Sequence, residues 1–178
     1  MRPSPVHVSR VSETGDPLYR VAVDVHRGLA AGSATVATAE SLTGGLIGAV
    51  LTDVAGASAT FRGGVIAYAT PAKAELLGVP AALLAEHGAV HPDVAYHMAV
   101  GARRALVATY GLAVTGVAGP EPQDGRPVGT VFVGVAGPDD QVTVRELRLG
   151  GDRAGIRRAT VESALRTLHQ IVTGTTFK

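Results

Sequence analysis

The chain has 178 residues, no cysteine and a formal net charge of +1. Its length predicts one domain, over residues 17–178, and the polar residues 1–16 before it are predicted to form a loose tail. The lack of cysteine excludes disulfides, thiolate metal sites and a cysteine nucleophile. The near-neutral charge argues against a nucleic-acid surface, and no apolar run approaches the ~18 residues of a membrane span or resembles a secretory signal, so we expect a cytoplasmic protein.

Apolar residues at helical spacing and short apolar runs between turns define the predicted elements of the first half. In chain order they are a helix over 18–31, a strand over 35–38, a helix over 46–52, a strand over 61–68 and a helix over 71–77. Thr70 is placed to cap the last of these helices, and Gly78 is placed to end it.

The second half begins with a short helix over 80–86 and a long one that opens at 91–93, continues to Thr109 and is closed by Gly111. The elements that follow are strands over 112–116, 128–136 and 142–149 and a helix from Asp152 to about Val172. This order predicts an α/β fold, a three-layer α/β/α sandwich with a mixed sheet that is parallel early and antiparallel late. Aromatic residues are only 4% of the chain, which predicts small side chains where helices cross the sheet.

The junction over 38–45 holds Ser41, Thr43, Gly44 and Gly45 between a predicted strand and a predicted helix. A helix start offers backbone N–H groups and a positive dipole end to a phosphate or an oxyanion, and glycines allow a ligand to approach the backbone. A simple N-cap by Ser or Thr is an equally good interpretation. The segment is neither a P-loop nor a Gly-x-Ser-x-Gly elbow.

Ser41 could also be a nucleophile, and Lys73 is a candidate for its base. Lysine occurs only at positions 73 and 178, and unlike arginine a desolvated lysine can lose its proton near neutral pH. The simpler interpretation of Lys73 is an ordinary surface lysine. The histidines form no recognisable triad, and His87 and His91 lie in a predicted loop that favours no metal site.

Three polar side chains follow predicted strands. Ser41, Tyr68 and Thr115 each lie at or just past a strand end, and in an open α/β sheet ligands bind at the carboxyl ends of parallel strands. If those strands are parallel, the three side chains share one crevice. Arg153 and Arg157 begin the last helix, and either could pair with a phosphate or carboxylate.

Seven segments taken together resemble the CinA C-terminal domain family, the nicotinamide-nucleotide amidohydrolases. The likeness covers residues 18–172 and is carried, in order, by 38–45, 63–68 with Lys73, 76–79, 86–90, 113–120, 127–131 and 151–153. The family often has Cys, Asn and Ser where this chain has Leu42, Thr70 and His91.

The resemblance implies hydrolysis of nicotinamide mononucleotide to nicotinate mononucleotide and ammonia by a cytoplasmic enzyme of pyridine nucleotide salvage. It implies no metal or other cofactor and the homodimer that the family often forms. With the charge and the lack of a long apolar run, we expect no nucleic-acid or membrane partner. By position, Ser41 matches the family's nucleophile, Lys73 its base and Tyr68 the tyrosine of the same motif. The residues implied to bind substrate are Thr43, Gly44, Gly45, Thr115, Gly116, Gly119 and Arg157.

Two other functions stay open at this point. The chain could be a nucleotide-binding or protein-interaction module that has lost catalysis, although a pure binder needs no base. It could instead be an amidase for another small amide, because Thr70 and His91 change residues near the predicted site.

Overall fold

A computed structural model describes residues 15–175. Its helices are α1 (Pro17–Ala31), α2 (Leu46–Thr52), α3 (Thr70–Leu77), α4 (Ala81–His87), α5 (Pro92–Ala105) and α6 (Arg153–Thr173). Its strands are β1 (Val36–Glu40), β2 (Phe61–Ile66), β3 (Tyr110–Gly116), β4 (Thr130–Ala136) and β5 (Val142–Arg148). The order predicted from the sequence is confirmed element by element.

The five strands form one mixed sheet in the order β2-β1-β3-β4-β5. β1 runs parallel to both β2 and β3, whereas β3–β4 and β4–β5 are antiparallel. Helices α1, α2 and α6 pack together on one face, and α5 covers the other face with α3 and α4 beside it. The predicted three-layer sandwich is therefore confirmed, with β3 in the centre of the sheet.

The face under α5 is built from small residues. Gly111 and Gly134 lie directly under this helix, where an added Cβ would come within 2.0 Å of Ala99 O and 2.5 Å of Ala95 O. No larger residue fits there without moving the helix, because such distances are shorter than any real Cβ contact. The predicted small side chains at the helix–sheet crossing are thus confirmed.

Several local predictions differ from the structure. β2 ends at Ile66 and β4 begins at Thr130, each two residues inside the predicted bounds. α5 ends at Ala105, because Val107 takes a positive φ of 49° and Thr109 exchanges hydrogen bonds with Thr35 instead of continuing the helix. Thr70 lies inside the first turn of α3, and Ala69 is its N-cap. β1 extends to Glu40, two residues beyond the predicted end.

The predicted tail falls mostly on residues 1–14, outside the described range. Its last residue, Asp16, caps α1 by accepting a hydrogen bond from Leu18 N (3.0 Å) and pairs with Arg158 on α6. Within residues 15–175, no helix has both the length and the apolar character to cross a membrane.

Candidate active site

The carboxyl ends of β1, β2 and β3 meet at one edge of the sheet because these strands are parallel. β1 has β2 on one side and β3 on the other, so the strand order reverses at β1. Open α/β sheets form their ligand crevice at such a point. A cleft opens at this point. Ser41, Tyr68 and Thr115 all line it, as the positions of the strand ends predict.

Ser41 and Lys73 form a direct pair at the bottom of this cleft. Lys73 Nζ lies 3.0 Å from Ser41 Oγ, and it also donates to the carbonyl oxygens of Ala67 (2.7 Å) and Tyr68 (3.3 Å). Lys73 lies in the first half of α3, and both carbonyls belong to the short segment between β2 and α3. The three acceptors hold the amine in one place facing the hydroxyl.

Burial determines the chemistry of Lys73. The side chain is only 1% exposed, and desolvation lowers the pKa of Lys73 from its ordinary value to about 8, with the charge of Asp124 acting in the opposite direction. Within the described range no carboxylate forms a salt bridge with this amine. A sizeable fraction of Lys73 is therefore neutral near pH 7–8 and able to accept a proton.

The opposite wall of the cleft comes from the segments that follow β3 and α4. It is lined by Ala89, Val90, Thr115, Gly116, Val117, Ala118, Gly119, Glu121 and Gln123. Thr115 Oγ1 donates to Ala89 O (2.7 Å), and Asp124 accepts hydrogen bonds from the amides of Ala89 and Val90. The wall is thus tied both to the central strand and to the loop that follows it.

Arg153 bridges the mouth of the cleft. Its guanidinium donates to Gly119 O (2.6 Å) on one side and to the Tyr68 hydroxyl (2.9 Å) on the other. Tyr68 is 58% exposed, and Arg153 is exposed as well. A planar cation at the mouth, with exposed donors, is well suited to a phosphate or carboxylate.

The loop that carries Ser41 ends in an unusual helix start. Gly45 precedes α2 with a φ of 95° and no side-chain cap, and Thr43 Oγ1 is buried without a hydrogen-bond partner in the described residues. The amides of Gly45, Ile47 and Gly48 instead donate to the carboxylate of Glu40. The alternative that Ser41 or Thr43 caps this helix is therefore wrong.

Arg157 holds the same loop from its other side. Its guanidinium donates to the carbonyl oxygens of Leu42 (3.1 Å) and Thr43 (2.7 Å). Of the two arginines that begin α6, Arg153 lines the cleft and Arg157 supports the loop behind it.

The family model for the CinA C-terminal domain matches residues 18–172. The chain belongs to the CinA C-terminal domain family. A protein of Escherichia coli K12 named nicotinamide-nucleotide amidohydrolase PncC is 41% identical over 158 residues, which are 88% of this chain and 96% of that protein.

Longer relatives also carry this CinA domain. CinA-like proteins of Frankia casuarinae and Anaeromyxobacter dehalogenans are 51% and 50% identical, over 96% and 79% of this chain. The matched residues span only 40% and 34% of the length of those two proteins.

Solved structures of CinA-type proteins share the fold. The competence/damage inducible protein CihA of Agrobacterium tumefaciens is 34% identical with a TM-score of 0.84, and the match covers 98% of this chain and 100% of that one. A CinA superfamily protein of Klebsiella pneumoniae is 31% identical with a TM-score of 0.85, over 89% and 99% of the two chains.

The predicted site residues of this CinA domain separate into two groups. The cleft brings together Ser41, Tyr68, Lys73, Thr115, Gly116 and Gly119. Thr43, Gly44, Gly45 and Arg157 lie outside its lining, and Gly44 N and Gly45 N donate to Ser41 O and Glu40. Their assignment as substrate-binding residues stays a prediction.

His87 and His91 stack on each other with ring centroids 4.5 Å apart. His91 Nδ1 accepts a hydrogen bond from Asp93 N and so caps α5. Within residues 15–175 no cluster of three or more His, Asp or Glu side chains could hold a metal ion.

Sequence reasoning missed Glu40 and Asp124. Glu40 ends a strand that is buried along its whole length, and a buried acid just before a glycine-rich helix start is a signal for a cap from the preceding strand. Asp124 lies in a loop rich in Gly and Pro, and nothing in that composition indicates that it contacts Ala89 and Val90.

Proposed function

We propose that this domain hydrolyses the carboxamide of nicotinamide mononucleotide to nicotinate mononucleotide and ammonia. The contact of 3.0 Å between Lys73 Nζ and Ser41 Oγ in the cleft carries this proposal, and the similarity to a relative named nicotinamide-nucleotide amidohydrolase points to the substrate. We further propose that it acts in the cytoplasm as a homodimer, in pyridine nucleotide salvage.

The first step is the activation of Ser41. A neutral Lys73 retains two N–H groups, which donate to Ala67 O and Tyr68 O, and its lone pair then faces the serine hydroxyl. Lys73 takes the hydroxyl proton as Oγ attacks the carboxamide carbon, and a tetrahedral intermediate with one oxyanion forms.

Backbone N–H groups next to the nucleophile are the candidate oxyanion donors. The amides of Leu42 and Thr43 make no hydrogen bond within the part of the chain that the structure describes, and Leu42 lines the cleft. Gly44 N and Gly45 N, in contrast, already donate to protein groups. One such donor typically contributes ~10²–10³ in rate.

Collapse of the intermediate breaks the carbon–nitrogen bond. The Lys73 ammonium returns its proton to the leaving nitrogen, ammonia departs, and Ser41 is left as an ester. Lys73 is then neutral again and accepts a proton from water, which attacks the ester carbon. The ester C–O bond breaks, Lys73 returns the proton to Ser41 Oγ, and nicotinate mononucleotide is released. The Tyr68 hydroxyl at the mouth is a second candidate proton donor to the leaving group.

The cleft also offers groups that could hold the rest of the substrate. Arg153, exposed at the mouth, is placed to bind the phosphate. Thr115 and the turn over 116–119 form the wall against which the pyridine ring and ribose would lie.

The test is ammonia release from nicotinamide mononucleotide by purified protein, with EDTA present and with Lys73→Ala as the control. We expect release by the wild type and a loss of about 10²–10⁴-fold in the variant, the usual contribution of a general base. Free nicotinamide and the nucleoside serve as comparison substrates. A folded wild type that releases no ammonia from the nucleotide contradicts the proposal and favours a binding module, whereas faster release from another amide favours a different amidase.

A further inference from the structure

Glu40 is a buried carboxylate with an unusual set of partners. It ends β1, is 2% exposed and accepts three backbone hydrogen bonds, from Gly45 N (3.0 Å), Ile47 N (3.0 Å) and Gly48 N (2.8 Å). These are amides at the start of α2, where the unpaired donors and the positive dipole end favour an anion. An internal carboxylate thus occupies the position where the sequence alone suggested a bound phosphate.

This arrangement releases Ser41 from a competing role. A serine in the turn before a helix can use its Oγ to cap the free amides of the first turn. Here Glu40 satisfies those amides from within β1, and Ser41 Oγ is left to Lys73. The acid next to the nucleophile therefore separates helix capping from catalysis.

The backbone of Glu40 is tied to the other half of the site. Its carbonyl oxygen accepts a hydrogen bond from Ala67 N (2.9 Å), and the carbonyl of Ala67 in turn holds Lys73 Nζ. Ser41 N donates to Val114 O in β3 (3.2 Å). Ser41 thus follows a residue anchored to β2 by its backbone and to α2 by its side chain.

We infer that Glu40 is a positioning residue for the amide hydrolysis proposed above: its carboxylate fixes the turn between β1 and α2 so that Ser41 Oγ faces Lys73. Glu40 does not touch the substrate and takes no proton from it. Its contribution lies in kcat, because a displaced Oγ slows attack on the carboxamide while the cleft wall and the mouth still bind the nucleotide.

The test compares Glu40→Gln with the wild type. The amide keeps the shape of the side chain, but its NH₂ group cannot accept a hydrogen bond from a backbone amide. We expect kcat to fall by about tenfold or more with KM within about twofold, as for loss of positioning. Ser41 should also react more slowly with a fluorophosphonate, which forms an oxygen–phosphorus bond with loss of fluoride and needs no nucleotide.

Asp16→Asn is the matched control. Asp16 also caps a helix start with a carboxylate, at α1 and away from the cleft, so we expect a lower melting temperature with unchanged kcat and unchanged labelling. If Glu40→Gln behaves in the same way, a merely structural role is established and the inference is wrong. If Glu40→Gln does not fold, the same constants are measured for Glu40→Asp, in which a shorter reach should also lower kcat, and a normal kcat there overturns the inference.

The two proposals fail separately. The inference about Glu40 rests on Ser41 as the nucleophile, and fluorophosphonate labelling reports that property without the substrate. A wild type that neither labels at Ser41 nor releases ammonia contradicts the proposed function itself. A wild type that labels and turns over, with Glu40→Gln equal to it in both assays, contradicts only the role of Glu40.

Discussion

The bottom of the cleft and its mouth differ in how far their side chains are exposed to water. At the bottom, Ser41 and Lys73 are 8% and 1% exposed, and every hydrogen of the Lys73 ammonium has a protein acceptor. At the mouth, Tyr68 is 58% exposed and the Arg153 side chain bridges two segments in water. Burial changes the proton affinity of a lysine, whereas an exposed arginine stays charged in all conditions.

The difference suggests that the bottom of the cleft carries out the chemistry and that its mouth recognises the substrate. A desolvated amine held against a hydroxyl can move protons, and an exposed guanidinium can attract and orient an anionic substrate. The two parts should therefore respond differently to substitution. Changes at the bottom should act on kcat, and changes at the mouth should act on KM.

The largest expected effect is that of Ser41→Ala. Loss of the attacking oxygen should lower kcat by about 10⁴-fold or more, because no other group can form the ester. The nucleotide should bind the variant with nearly unchanged affinity, because the mouth is intact. Ammonia release measures the first quantity and calorimetry the second. Ser58→Ala is the control, at an exposed serine in the segment that follows α2, and it should leave turnover and affinity unchanged. A Ser41→Ala enzyme with more than a tenth of wild-type turnover would rule out Ser41 as the nucleophile.

The second effect is the pH dependence of kcat/KM. Lys73 must be neutral to act, and its pKa is lowered to about 8. The rate should therefore rise about tenfold per pH unit below that value and level off above it. The profile is measured over about pH 6 to 9.5 with ammonia release. An Arg153→Met enzyme should keep the same midpoint, since arginine does not titrate in this range, and a flat wild-type profile across pH 7 to 9 contradicts the role of Lys73.

Much of the fold could be predicted because local sequence patterns mark its helices and strands. Apolar residues at helical spacing identify α1, Asp152 starts α6, and apolar runs between turns identify the strands. The end of α5 could not be predicted, because Val107 adopts a positive φ that no sequence pattern indicates and Thr109 pairs with the distant Thr35.

The site was predictable only in part, for a related reason. Ser41, Tyr68 and Thr115 follow strands, so parallel topology alone brings them together. The burial of Lys73 depends on the carbonyls of Ala67 and Tyr68, which its own helix does not supply. Whether Arg153 or Arg157 lines the cleft depends on which face of α6 meets the loop after β1. That is a property of tertiary packing.

The third-largest expected effect is that of Arg153→Met, at the mouth of the cleft. A charged hydrogen bond to a phosphate is worth ~1.5–3 kcal/mol, so KM for nicotinamide mononucleotide should rise by about 10–100-fold with little change in kcat. The nucleoside, which lacks the phosphate, should show no such loss. Arg158→Met is the control on the same helix, since Arg158 pairs with Asp16 away from the cleft. An equal loss on nucleotide and nucleoside would assign Arg153 to the architecture of the mouth instead.

The smallest expected effect is that of a substitution in the cleft wall, Asp124→Asn, on the pKa of Lys73 at the bottom. The charge of Asp124 raises the pKa of Lys73 against the effect of burial. Asp124→Asn removes that charge and keeps an oxygen that can accept from Ala89 N and Val90 N. The pKa of Lys73 should then fall further, so the acid limb of the pH profile should move to lower pH by less than about one unit.

This shift has a definite sign, which separates it from damage to the wall. Below the midpoint the Asp124→Asn enzyme holds more of Lys73 in the neutral form, so it should be faster than the wild type at acid pH and equal to it above about pH 9. Loss of wall structure would lower the rate at every pH. Asp139→Asn, in the turn between β4 and β5 at the opposite edge of the sheet, should leave the midpoint unchanged, because its charge is too distant and too well solvated to act on Lys73.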